Sequence, residues 1–127
     1  MMREFETTLG GKPVTLAATF KASQEIAQKI ADPLVIGREA HLEAFLTRPG
    51  FPPYDPKFKF TVSNVPLLLH IGLKAGGSSL TLEQVQELAF AEGFISAKEK
   101  ATEYLALIIS PRSEEIAEGE KGEGSGE

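Results

Sequence analysis

The first signal along the chain is alternation. Phe5, Thr7 and Leu9 alternate with Glu4, Glu6 and Thr8, and Val14, Leu16, Ala18 and Phe20 alternate with Thr15, Ala17 and Thr19. A period of two predicts strands. Gly10-Gly11 between the two runs tolerates the positive φ angles of a two-residue hairpin turn. Residues 3–20 therefore read as a β-hairpin. Pairing Leu9 with Lys12 sets Thr7 opposite Val14 and Phe5 opposite Leu16, all on one mostly apolar face. That face needs a cover, because an isolated hairpin is marginal in water.

The period then lengthens to that of a helix. Ala22, Ile26 and Ile30 recur at i, i+4 spacing and predict a helix over 21–31. Asp32-Pro33 should stop it and start the next, since Asp caps well and Pro suits the first helical position. That second helix should run to about Thr47. Its apolar positions include Ile36, Ala40, Phe45 and Leu46, with Arg38, Glu39 and Glu43 expected in solvent. A third helix begins at Ser63 or Asn64 with Pro66 in its first turn. Val65, Leu67, Leu68, Leu69, Ile71 and Leu73 surround it, so it should be the buried central helix. Gly76-Gly77 supplies its left-handed stop. Thr81-Leu82-Glu83-Gln84 is a capping box opening a fourth helix with an inward stripe of Leu82, Val85, Leu88 and Ala89. Gly93 ends it. Ser96-Ala97-Lys98-Glu99 reads as a second capping box and opens a fifth, with Ala97, Ala101, Tyr104, Leu105 and Ile108 inward. Ser110-Pro111 closes the fold.

Between helices two and three, residues 48–57 hold four of the chain's eight prolines. Missing amide donors at that density exclude a regular element and predict a stiff loop. Phe58, Phe60 and Val62 alternate with Lys59 and Thr61, which suggests a short extended piece. The pattern adds up to an α+β fold, mostly helical. A hairpin at the N-terminus packs on about five helices as one domain over 1–111.

Composition changes this picture little, and charge changes it more. The length, 127 residues, suits one domain, and the 42% apolar content suits an ordinary core. No apolar run approaches the roughly 20 residues of a membrane-spanning helix. Met1 to Glu6 carries acids and no long apolar stretch, so it does not read as a secretory signal. The lack of cysteine excludes disulfides and thiolate chemistry. The net charge is −5, of which the segment 112–127 supplies −4 through six Glu against Arg112 and Lys121. That segment is Gly- and Glu-rich with only Ile116 and Ala117 apolar. It cannot offset the entropy of ordering itself and should be a disordered acidic tail that serves mainly solvation. No basic patch matches a phosphate backbone, so nucleic acid is not an expected partner.

Candidate chemistry is sparse. His41 lies two residues from both Glu39 and Glu43, and residues two apart on a helix point in different directions. No metal site is expected there. His70 sits in the apolar third helix with neither nucleophile nor orienting acid beside it, which argues against a general base. Lys74-Ala75-Gly76-Gly77-Ser78-Ser79 places its Lys before the glycines and follows a helix, unlike a phosphate loop. Glu83, Glu87 and Glu92 fall on or near the solvent side of helix four, and Glu83 and Glu87 suit the positive end of its dipole. Neither a catalytic site nor a cofactor is expected, and the chain does not read as an enzyme.

The order of several short motifs carries a family likeness. A Gly-Gly-Lys-Pro turn leads into Thr19-Phe20-Lys21-Ala22. Then come Phe60-Thr61-Val62-Ser63-Asn64-Val65, Leu69-His70-Ile71-Gly72-Leu73, Leu80-Thr81-Leu82-Glu83-Gln84-Val85 and Gly93-Phe94. Over Phe5 to Ile109 the chain resembles the small tail protein of gene transfer agents and related tailed phages, a family grouped with the phage tail assembly chaperones. The likeness implies a non-enzymatic role in tail morphogenesis, inside the cytoplasm of a bacterial host or in a virion-like particle. Its implied partners are the tape-measure protein and the tail tube protein. A chaperone would coat the tape measure until the tube polymerises. The alternative is a structural tail subunit, a tube or tail-completion component retained in the particle. A tube subunit should be mainly sheet, which favours the chaperone. Phe51, Tyr54 and Phe58, in or beside the proline-rich loop, are the candidate partner contacts. Self-association suits a coating protein, although no heptad seam specifies it.

Overall fold

A computed structural model describes residues 3–46, Gly50 and 58–110, with residues 40–46 described as backbone alone. The expected architecture is the observed one. Strands β1 (Arg3–Leu9) and β2 (Lys12–Ala18) form an antiparallel hairpin, followed by α1 (Phe20–Lys29), α2 (Pro33–Leu46), α3 (Asn64–Ala75), α4 (Leu82–Glu92) and α5 (Phe94–Ile109). Residues 47–49, 51–57 and 111–127 lie outside the described residues, so the proline-rich loop and the acidic tail have no structural account.

The hairpin adopts the register that its alternation dictates, with Leu9 opposite Lys12, Thr7 opposite Val14 and Phe5 opposite Leu16. Gly10 and Gly11 turn at φ of 59° and 82°, a conformation that costs glycine little. Counting from such a turn, the pairs alternate between hydrogen-bonded and non-bonded. Thr8 opposite Pro13 is then a non-bonded pair. The ring nitrogen of Pro13 faces outward, where no ladder donor is lost. One outward carbonyl of each strand accepts from α5. Tyr104 donates its hydroxyl to the Ala17 carbonyl at 2.8 Å, and the Lys100 ammonium donates to the Thr8 carbonyl.

The apolar helix α3 is the hub, as its all-round hydrophobicity predicts. Val65, Leu68, Leu69, Ile71 and Leu73 are buried, and α3 packs on β2, α1, α4 and α5. It ends in a Schellman arrangement. The N–H of Ser78 donates to the Leu73 carbonyl at 2.9 Å and that of Gly77 to Lys74 at 3.1 Å, with Gly77 at φ 94°. Glycine is required at two further positions of α3 and its cap for a different reason, which is contact. A Cβ at Gly72 would stand 2.8 Å from Tyr104 Cζ, and one at Gly76 would stand 2.5 Å from the Thr15 carbonyl.

Four expectations need correction. Phe20 does not continue β2. Thr19 Oγ1 accepts the Ala22 N–H at 3.0 Å and so caps α1, which starts at Phe20 and leaves that ring 78% exposed. Glu39 is not in solvent: it is only 1% exposed, three residues beyond buried Ile36 on the same side of α2, and accepts from Arg38 at 3.1 Å. Ser96 does not open α5. The helix begins at Phe94 with Gly93 as its cap, and the Ser96 hydroxyl donates to Glu92 from inside the first turn. Finally, residues 58–62 join no sheet among the described residues. Thr61 and Asn64 bond reciprocally instead, with Asn64 Oδ1 accepting the Thr61 N–H at 2.7 Å and Thr61 Oγ1 the Asn64 N–H at 3.0 Å. This local exchange leads directly into α3.

Candidate functional site: an apolar helix corner

Gly93, at φ 93°, ends α4 and caps α5, so the two helices meet at a one-residue corner. Glu92 holds this corner to the hairpin. One carboxylate oxygen accepts the Gly10 N–H at 2.9 Å; the other accepts from the Ser96 hydroxyl and from the Lys100 ammonium at 2.8 Å. Those three donors, Lys100 foremost, hold the Glu92 pKa down to about 2. Glu92 was expected on or near the solvent side of α4; its side chain is instead 14% exposed and turned toward the hairpin.

On this anchored corner stand the apolar side chains that the core does not take. Phe90 is 72% and Ile95 79% exposed. The half-buried Phe94 ring meets Phe90 edge-on, with centroids 6.2 Å apart and planes at 64°. Glu83 and Glu87 on α4, and Lys98 and Glu99 on α5, are exposed around them. An edge-on aromatic pair, with exposed Ile95 following Phe94 at the start of α5, is an apolar feature that a partner can bury. The other exposed large apolar residues among the described residues, Phe20, Leu34, Val62 and Ile109, are single residues elsewhere on the surface, which is ordinary.

A second feature lies between α1 and α3. Glu25 accepts from Lys29 at 2.8 Å and from Lys74 at 2.7 Å, and these bonds lower its pKa. Glu25 and Lys74 line a groove of about 490 Å³ together with Lys21, Ala22 and Ile71, and Lys29 lines the hollow that adjoins it.

Of the contacts expected from sequence, Phe58 is half-buried, packs on the core and meets Phe60 edge-on at 5.2 Å. Phe51, Tyr54 and the side chain of His41 lie outside the described residues. His70 is half-buried on α3, while Glu83 and Glu87 are exposed as expected. Among the described residues no three of His, Cys, Asp and Glu are placed to hold a metal ion, and no helix is long and apolar enough to cross a membrane. Phe90 and Ile95 were missed by the sequence reading. The signal was their position off the inward stripes of Val85 and Ala89 and of Ala97 and Ala101. Compared with known proteins, the chain matches no family model, no curated protein and no solved structure.

Proposed function

We propose that this chain is a non-enzymatic tail assembly protein of a tailed phage or gene transfer agent, a chaperone that binds the tape-measure protein during tail morphogenesis. The observation that carries the reading is the corner of Phe90, Phe94 and Ile95. It is apolar, exposes Phe90 and Ile95, and is fixed to the body by Glu92. The order of motifs between Phe5 and Ile109 supports the assignment to tails. A tape measure is a long helical protein with apolar stripes that need cover until the tube forms, and a fixed apolar corner suits helix docking. The small sheet, two strands in the described residues, supports a chaperone over a tube subunit, which would line a ring with strands.

Co-expression with the tape-measure protein of the same element, followed by pulldown, tests the reading. The expected result is a soluble complex with the wild-type chain and an aggregated tape measure with the Phe90→Ser/Ile95→Ser variant. A tape measure that is equally soluble and functional without this chain would overturn it. Finding the chain at stoichiometric levels in purified particles would favour a retained subunit instead.

A further inference from the structure

We propose that the acidic segment 112–127 of this chain docks intramolecularly into the groove between α1 and α3. The inference is independent of the tail-assembly reading and rests on charge, apolar pattern and reach. Over their whole lengths α1 and α3 carry Lys21, Lys29 and Lys74 against the single acid Glu25, a local balance of +2 in a chain of net charge −5. Lys29 and Lys74 each give one bond to Glu25 and remain about half exposed, at 52% and 50%. An ammonium has three protons to donate, so both keep capacity for a second carboxylate. Lys21 forms no ion pair or hydrogen bond among the described residues and stands at the rim of the groove.

The apolar pattern matches as well. Ala22, Ile71 and Ala75 form the floor between the lysines. In the segment, Ile116-Ala117 is the one apolar pair, set between Glu114-Glu115 and Glu118 and Glu120. Laid in the groove, that pair meets the floor while acids on both sides meet the lysines. Reach does not limit the contact. Helix α5 ends at Ile109, and the acids Glu114 to Glu120 follow it closely enough to reach from about 17 Å to about 36 Å when extended. A fold of this size has a radius of gyration of about 13 Å. The tether also sets an effective concentration on the order of millimolar, so individually weak ion pairs suffice.

Zero-length carbodiimide coupling of the full chain at high dilution, with the joined Lys–Glu pairs mapped by mass spectrometry, tests this. The expected products are monomeric and join Glu114, Glu115, Glu118 or Glu120 to Lys21, Lys29 or Lys74, several-fold above Lys12, Lys59 and Lys98. Raising the salt from about 0.01 M to about 1 M cuts the screening length from ~30 Å to ~3 Å and should abolish the preference. Lys21→Glu leaves both Glu25 ion pairs in place, so the fold is retained, and coupling at Lys29 and Lys74 should still fall several-fold. Coupling spread evenly over the exposed lysines, or indifferent to salt and to Lys21→Glu, would overturn the proposal. So would products found only as dimers that vanish on dilution, which would place a second copy's segment in the groove.

Discussion

The backbone N–H of Gly10 donates to Glu92 Oε1 at 2.9 Å, joining the hairpin turn to the end of α4 across 82 residues of chain. The same carboxylate takes the Ser96 hydroxyl and the Lys100 ammonium. One ionised group therefore ties three elements at the corner. Glu92→Gln keeps an acceptor for Gly10 and loses the charge that Lys100 and Ser96 bond. It should cost about 1–3 kcal/mol at pH 7, measured by urea unfolding.

The cost should depend on pH in a defined direction. The Glu92 pKa in the fold is about 2, below its ordinary 4.5. As pH falls, the unfolded chain takes up this proton first. The stabilisation is therefore complete above about pH 5 and is lost between about pH 4.5 and pH 2. Unfolding of the wild type and Glu92→Gln should be compared at pH 7 and near pH 2. Their gap should close at the lower value, and a gap independent of pH would remove Lys100 and Ser96 as its cause.

Tyr104 gives the opposite sign. Burial, with the Glu25 charge as a smaller cause, pushes its phenol pKa well above the ordinary 10. The fold favours the neutral phenol, so its contribution is intact below about pH 10 and is lost as pH rises beyond that. Tyr104→Phe leaves the outward carbonyl of Ala17 without its 2.8 Å donor. This should cost about 1–3 kcal/mol at neutral pH. Alkaline unfolding curves of the two proteins should converge.

Gly76 tests the packing of α3 on the hairpin. A Cβ there would lie 2.5 Å from the Thr15 carbonyl, a backbone atom that cannot swing aside. Gly76→Ala should destabilise by about 1–3 kcal/mol, read as a lowered midpoint in thermal or urea unfolding. Gly11→Ala in the hairpin turn meets no atom within 4 Å but must hold φ 82°. Its smaller cost, about 1 kcal/mol, separates backbone strain from collision.

Legibility followed the range of the interaction. The register of Leu9 on Lys12 and the Thr81–Gln84 capping box are set by neighbours a few residues apart, and both stand as the sequence predicts. The Ser96 box failed because Gly93 caps the helix three residues sooner, which leaves Ser96 inside the first turn, where its hydroxyl donates to Glu92 one turn earlier. Glu39 was misplaced because its charge was read as a mark of solvent, although it lies one turn beyond buried Ile36 on the same side of α2. The candidate surface was half legible. Phe90 and Ile95 stand off the inward stripes in the sequence itself, but their standing on either side of one corner depends on the single residue between α4 and α5.

The central claim is that this corner is a docking surface, and Phe90→Ser/Ile95→Ser isolates it. Both residues are exposed, so stability should stay within about 0.5 kcal/mol of wild type. Calorimetric titration of the wild-type and variant chains with helical segments of the tape-measure protein measures the claim most directly. The account predicts saturable binding by the wild type and at least about a thirtyfold loss in the variant, the size of one hot-spot side chain. Equal affinity of the two chains for the same segments would contradict it.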